Sequence, residues 1–105
     1  MRHFAGRVKR LELSIAADAD LFDILAYGTA IHGEAASDAY YLGLTGAFDL
    51  LCAHPEAGPV DEESGLGLRR WHYRKHRIFY RVDADAILIV RVFHAAADAV
   101  RWLRD

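Results

Sequence analysis

The segment at residues 69–94 constrains the fold of this chain more than any other stretch. It is rich in β-branched and aromatic residues, which alternate with basic ones, and it is interrupted at Arg74-Lys75 and at Asp83-Ala84-Asp85. A pattern of this kind is typical of three consecutive strands joined by tight turns. Because strands with such short connections run antiparallel, the segment predicts an antiparallel sheet.

The residues before this segment predict one strand and two helices. Residues 8–14 alternate apolar and polar side chains, which indicates a first strand. Ser14 or Asp18 can cap a helix that ends at Gly33, and a second helix follows over residues 34–54. The proline at residue 55 ends the second helix, because the residue before a proline avoids helical dihedral angles.

Each of the two helices has one apolar face to bury. The apolar residues recur at helical spacing, and they are Ala17, Leu21, Ile24, Leu25 and Gly28 in the first helix and Tyr40, Leu44, Ala47, Phe48 and Leu51 in the second. The break between the helices is very short, so we expect an antiparallel helical hairpin. Gly43 and Gly46 weaken the second helix and should permit close approach to the first.

The remaining segments complete the predicted architecture. Residues 55–67 are punctuated by glycine and proline and predict a loop, and residues 95–104 predict a short terminal helix. The order of elements is therefore β-α-α-β-β-β. The apolar stripe of the helical hairpin and the apolar face of the sheet can be buried only against each other. We expect a two-layer α+β fold in a single domain over residues 1–105, with the arginine-bearing face of the sheet left open.

Positive and negative charges are separated along the chain. The net charge is −2, but residues 11–68 contain eleven acids and no Lys or Arg, whereas residues 69–105 contain nine Lys or Arg and four acids. Six of the basic residues lie within residues 69–81, where no acid occurs. A sheet that carries this much positive charge either meets an anionic partner, which we expect, or keeps its arginines solvated or paired with the acidic helices.

Several classes of protein are disfavoured by the sequence. No apolar run approaches the ~20 residues of a transmembrane helix, and no apolar segment follows the basic residues 1–7, so we expect neither a membrane span nor a secretion signal. The single Cys52 cannot form an internal disulfide, which indicates a cytoplasmic protein. His72, His76 and His94 match no zinc-binding spacing, so we expect no metal site and no cofactor.

The two last predicted strands carry a resemblance to a known family. Residues 77–82 (RIFYRV), followed after a short acidic turn by residues 87–94 (ILIVRVFH), resemble the C-terminal half of the RelE/ParE toxin superfamily, and most of all its ParE branch. The end of the second helix, LLCAHPE at residues 50–56, and the entry to the sheet, GLRR at residues 67–70, agree with this resemblance. The resemblance covers about residues 9–94.

The resemblance implies a toxin of a type II toxin–antitoxin system. The partner would be a small cognate antitoxin whose C-terminal segment folds as it binds. ParE-like members act on DNA gyrase, whereas RelE-like members cut messenger RNA on the ribosome. We expect the ParE type of activity, in which the chain is not itself an enzyme.

Basic side chains of the sheet form the expected partner-binding surface. Acidic antitoxin segments would complement it, and DNA gyrase is the target that the resemblance implies, whereas direct nucleic-acid binding is left open. Tyr80 is expected in the core, while Trp71 and Tyr73 fit either the core or a partner surface. The expected partner-binding residues are Arg69, Arg70, Arg74, Lys75, Arg77, Arg81, Arg91 and His94.

Two alternatives to a gyrase-directed toxin stay open. In a RelE-type ribonuclease, the resemblance implies that His94, Arg91 and Arg81 would supply the acid–base and phosphate-binding groups. If there is no such catalysis, His94 is simply an imidazole bonded to a backbone carbonyl. ParE-like toxins often carry basic residues directly after this histidine, where this chain has Ala95-Ala96-Ala97. Either Arg101 and Arg104 supply these cations instead, or the chain is a non-toxic relic that only binds an antitoxin, which is the second alternative.

Overall fold

The computed structural model describes residues 8–104 and confirms the predicted α+β class. The basic N-terminus, residues 1–7, in which no secretion signal was expected, lies outside the described residues. The elements in chain order are β1 (Arg10–Leu13), α1 (Ile15–His32), α2 (Glu34–Ala53), β2 (Arg69–Tyr73), β3 (His76–Val82), β4 (Ala86–His94) and α3 (Ala99–Arg104).

The described strands form one sheet in the order β1-β4-β3-β2. The pairs β2–β3 and β3–β4 are antiparallel, as the short turns predicted. β1 lies beside β4 and runs parallel to it, with Arg10 opposite Ala86 and Leu13 opposite Ile89. The last strand in sequence is thus central in the sheet, which the local sequence pattern did not indicate.

The helical hairpin begins and ends at the residues that the sequence indicates. Ser14 is the N-cap of α1, and its Oγ accepts the Ala17 N–H at 2.9 Å. β1 is shorter at both ends than the predicted strand over residues 8–14, because Ser14 caps the helix and residues 8 and 9 lie outside the strand. Gly33 lies between the two helices with a φ of 89°, a left-handed value that glycine adopts at low cost.

Close approach of the two helices occurs at Gly28 and not at the two glycines of α2. A Cβ on Gly28 would lie 2.7 Å from the Oγ of Ser37, which itself donates to the Leu25 carbonyl at 2.9 Å. Gly43 instead makes room for the Tyr73 ring of β2, and Gly46 faces open space. The expectation that Gly43 and Gly46 contact the first helix is therefore wrong.

The main core lies between the helical hairpin and the sheet. Tyr80 is fully buried in it, as expected, and its hydroxyl donates to the Pro55 carbonyl at 2.8 Å and accepts the Gly58 N–H at 3.0 Å. Trp71 and Tyr73 pack against this core, which decides between the two alternatives for these aromatic residues. The buried residues of the cluster are Ala17, Leu21, Leu44, Ala47, Phe48, Leu51, Cys52, Ile78, Tyr80, Ile87, Ile89 and Val92.

The second face of the sheet is partly covered, contrary to the expectation that it stays open. Phe79 and Phe93 point to this face with ring centroids 5.9 Å apart, and they are buried together with residues of the loop and of α3. α3 is fastened by Arg104, whose Nη1 donates to the Ser64 carbonyl at 2.6 Å. Two phenylalanines on one face need a cover, and the terminal helix supplies it.

Candidate functional site

The structure divides the eight expected partner-binding residues by the contacts they already make. Three of them pair with carboxylates of the same chain, so their charges are largely compensated. These three ion pairs are Arg70–Asp61 at 3.4 Å, Arg81–Asp83 at 2.9 Å and Arg91–Asp20 at 2.8 Å.

The pair between Arg91 and Asp20 is built into the fold. The Asp20 carboxylate accepts from Nε and Nη2 of Arg91 at 2.8 and 2.9 Å, and it also accepts the Val92 N–H at 2.9 Å. β1 ends opposite Ile89, so the carboxylate serves the edge of β4 that β1 does not reach. Hydrogen bonding to Asp20 raises the pKa of Arg91. Arg91 therefore links the sheet to α1 through its ion pair with Asp20.

Arg69 and Arg77 each donate a hydrogen bond to a backbone carbonyl outside the strands. Nη1 of Arg69 donates to the Gly58 carbonyl at 2.7 Å, and Nη2 of Arg77 donates to the Ala97 carbonyl at 2.7 Å. The two side chains therefore position the loop before β2 and the segment after β4. The buried Nε of Arg77 has no hydrogen-bond partner within residues 8–104.

The remaining three residues come together at one end of the sheet. Arg74 and Lys75 form the turn between β2 and β3, with Arg74 at a φ of 50°. His94 at the end of β4 lies opposite His76 at the start of β3, and the Ala95 N–H donates to the Lys75 carbonyl at 2.8 Å. No ion pair within residues 8–104 involves Arg74, Lys75 or His94. We call Arg74, Lys75, His76 and His94 the basic end.

Hydrogen bonds fix how the two histidines of the basic end are oriented. The Ala96 N–H donates to Nδ1 of His94 at 3.1 Å, so the neutral ring carries its proton on Nε2. The contact of His94 is thus with a backbone N–H and not with the expected carbonyl. The two rings lie edge to face with centroids 5.7 Å apart. Together with the two cations of the turn, His94 presents donors to solvent, which suits an anionic group.

Tyr40 supports the basic end from α2, and the sequence did not single it out as a site residue. Its hydroxyl lies 2.7 Å from Nδ1 of His76 and accepts the Lys75 N–H at 3.2 Å. Burial raises the pKa of Tyr40, which therefore stays a neutral phenol. Tyr40 occupies a regular position of the apolar stripe, so only the folded structure separates its hydroxyl from the core residues beside it.

The residues of the alternative ribonuclease site are not brought together. Arg81 lies five residues along β3 from His76, the partner of His94, which corresponds to ~17 Å of strand. Arg81 pairs with Asp83, and Arg91 pairs with Asp20. The three groups therefore do not converge on one scissile phosphate.

Three further observations concern the part of the chain that is described. Over residues 8–104, no three His, Cys, Asp or Glu side chains gather in a way that could hold a metal ion. Cys52 is buried in α2, and this burial raises the pKa of its thiol. Among the helices described above, none has the length and apolar character that a membrane crossing requires.

The histidine pair predicts a pH dependence of stability. Burial, followed by the neighbouring His94, lowers the pKa of His76 below 6.5. The unfolded chain therefore binds a proton at a higher pH than the folded chain does, so stability falls as pH falls from the unfolded value through the folded one. We expect urea denaturation between about pH 7 and pH 5 to show this loss, and His76→Gln to reduce it. If stability depended on pH as steeply in His76→Gln as in the unchanged chain, the assignment to His76 would be wrong. His54→Gln, which replaces an exposed histidine, is the control.

Comparison with known proteins places the chain in a family. A family model described as ParE toxin of type II toxin-antitoxin system, parDE, matches residues 11–99. Toxin ParE1 of Caulobacter vibrioides is 34% identical over 92 residues, which amount to 88% of this chain and 95% of that protein.

Two solved structures share the fold. The chromosomal ParDE TA system from P. aeruginosa contains a chain with a TM-score of 0.72 and 18% identity, over 83% of this chain and 96% of that one. The toxin-antitoxin complex RelBE2 from Mycobacterium tuberculosis gives a TM-score of 0.59 and 21% identity, over 84% and 99%. These two likenesses concern the fold. The family model and the Caulobacter relative carry the assignment: the chain belongs to the ParE toxin family and is a toxin of a type II toxin–antitoxin system.

Proposed function

We propose that this toxin acts by binding DNA gyrase and that a cognate antitoxin neutralises it by covering the basic end of the sheet. Membership of the ParE family supports gyrase as the target. The observation that carries the site is that Arg74, Lys75 and His94 lie at one end of the sheet and form no ion pair with any residue of the described range 8–104. The exposed side chains of Arg74 and Lys75, which a two-residue turn places side by side, can attract an acidic segment.

Toxic activity and its target are tested by inducing the chain in bacteria without its antitoxin. Pulse-labelling then follows the synthesis of DNA and of protein. We expect DNA synthesis to fall first and the cells to filament. An early fall in protein synthesis would replace the gyrase proposal with RNA cleavage. If neither falls while folded protein accumulates, the chain is a non-toxic relic, and the gyrase proposal is wrong.

The antitoxin site is tested by removing the two cations of the turn. Arg74→Ala with Lys75→Ala should weaken binding of the antitoxin by about tenfold, mainly through slower association, and should flatten the salt dependence of binding. Surface plasmon resonance at several ionic strengths measures both effects. Arg10→Ala with Arg81→Ala is the matched control, because it removes two exposed, ion-paired cations elsewhere on the sheet. Equal effects of the two double variants would show that only net charge matters.

A further inference from the structure

The Tyr40 hydroxyl lies among three hydrogen-bonding groups at the basic end. Its oxygen is 2.7 Å from Nδ1 of His76, accepts the Lys75 N–H at 3.2 Å and lies 3.4 Å from the Tyr73 carbonyl oxygen. A phenol has one proton to donate, and its oxygen can accept hydrogen bonds at the same time. The hydroxyl can therefore give its proton either to His76 or to the Tyr73 carbonyl.

The protonation state of His76 decides between these two arrangements. When the imidazole is neutral, Nδ1 accepts the Tyr40 proton, and the shorter of the two distances favours this arrangement. When the imidazole is protonated, Nδ1 donates to the Tyr40 oxygen, and the phenol proton turns to the Tyr73 carbonyl. Because every partner is already in place, His76 can gain a proton through the rotation of one hydroxyl group.

His94 is arranged differently, although its ring lies beside that of His76. Nδ1 of His94 accepts the Ala96 N–H at 3.1 Å, and a protonated Nδ1 can no longer accept. Protonation of His94 at this atom would break a hydrogen bond, whereas protonation of His76 exchanges one for another. Within the basic end, His76 is therefore the histidine that can take up a proton at Nδ1 without losing a hydrogen bond.

The surroundings of His76 disfavour its charged form in the free toxin. Burial first, and the neighbouring His94 second, lower the pKa of His76. No ion pair within residues 8–104 involves this side chain. The titratable and charged groups around it on α2, β2, the β2–β3 turn and β4 are Tyr40, Tyr73, Arg74, Lys75 and His94. None of these five residues is an acid, so the ring is mainly neutral near neutral pH.

A bound carboxylate would offset the cations next to His76. Lys75 is the chain neighbour of His76, and the centroid of the His94 ring lies 5.7 Å from that of His76. A carboxylate that contacts Lys75 or His94 therefore comes close to His76. An opposite charge within ~4–6 Å favours the protonated imidazole.

We propose that the basic end takes up a proton on His76 when it binds an acidic segment, and that the Tyr40 hydroxyl then turns from His76 to the Tyr73 carbonyl. This inference rests on the antitoxin site proposed above and adds a dependence on pH to it. Binding that takes up a proton becomes tighter as pH falls. The antitoxin would thus hold the toxin more tightly in a more acidic medium.

Calorimetric titration with a Glu-rich synthetic peptide tests the proton uptake. The carboxylates of the peptide stay ionised above about pH 6, so a proton that is taken up belongs to the toxin. Titration in two buffers of different ionisation enthalpy counts these protons. We expect up to about one proton per chain, and an affinity that rises about threefold to tenfold from about pH 7.5 to about pH 6. His76→Gln should abolish both effects, whereas His54→Gln, at an exposed histidine after α2, should retain them.

Tyr40→Phe tests the same step without replacing the histidine. It keeps the aromatic ring but removes the acceptor for the protonated imidazole, so it should lower the pKa of His76 further and move the proton uptake to lower pH. Nitrogen–proton correlation spectra of the imidazoles follow His76 directly, and the free chain should show a neutral ring with its proton on Nε2. A neutral ring with its proton on Nδ1, or proton uptake that His94→Gln abolishes and His76→Gln does not, would overturn the proposal.

The double variant Arg74→Ala with Lys75→Ala separates this inference from the site on which it rests. If this variant binds the peptide more weakly than the unchanged chain, but the unchanged chain takes up no proton, the antitoxin site is supported and only the inference fails. If the double variant binds the peptide as tightly as the unchanged chain, the assignment of the antitoxin to the basic end is wrong, and the inference fails with it.

Discussion

Replacement of Asp20 by alanine is expected to lower the free energy of unfolding by about 3 kcal/mol. The side chains of Asp20 and Arg91 are only 13% and 23% exposed, so removal of the carboxylate leaves a largely desolvated guanidinium without its partner. The Val92 N–H loses its acceptor at the same time. Urea denaturation measures the change, which is a large fraction of the stability of a small domain.

Two controls separate the parts of this effect. Asp83→Ala breaks the Arg81 pair, whose side chains are 54% and 37% exposed, and should cost much less than Asp20→Ala because water screens this exposed pair. Asp20→Asn removes the charge but keeps an oxygen that can accept the Val92 N–H, so an intermediate loss is expected. If Asp20→Ala lowered the free energy of unfolding no more than Asp83→Ala does, the Asp20–Arg91 pair would contribute no more to stability than an exposed ion pair.

Replacement of Gly58 by alanine is expected to destabilise the chain by about 3 kcal/mol, the second large effect. A Cβ at this position would overlap the Arg70 carbonyl and approach the Tyr80 hydroxyl to 2.8 Å. The backbone carbonyl of a sheet strand cannot move aside as a flexible side chain can. The same substitution should disturb the hydrogen bond of the Gly58 N–H to Tyr80.

Gly46→Ala is the matched control, because a Cβ there meets nothing within 4 Å. Gly46 lies in the exposed interior of α2, so alanine should stabilise the chain by about 1 kcal/mol through helix propensity. Opposite signs for the two glycine variants in thermal or urea denaturation are expected. Destabilisation by both would mean that α2 depends on Gly46 for a reason other than space.

Local patterns predicted most of the fold, because each acts over a few residues. The alternation in residues 69–94 and the stripes of the two helices specify strands and helices from neighbouring side chains. The parallel pairing of β1 with β4 and the cover of Phe79 by α3 were missed, since both depend on contacts between distant segments. The pattern of a strand indicates that one face of the sheet is apolar. It does not indicate which later element will cover the opposite face.

The sequence predicted which basic residues belong to the candidate site, but not which of their side chains already bind another residue of the chain. The excess of Lys and Arg in the sheet segment is visible in the sequence, yet Arg91 is occupied by Asp20, which lies 71 residues away. Arg74, Lys75 and His94 differ from the other predicted residues only in what the fold places next to them. The support of His76 by Tyr40 likewise joins residues 36 positions apart, so no local motif marks it.

The central place of β4 has a consequence for the synthesis of the toxin. β4 lies between β1 and β3 but follows both of them in the chain, so the ribosome makes this inner strand of the sheet after the other three. At roughly 5–20 residues per second, translation leaves β1 and the helices without their main partner for several seconds. A nascent chain therefore cannot assemble this four-stranded sheet before β4 has been translated. Premature termination before residue 94 would release fragments that lack the strand joining the N-terminal part to the hairpin.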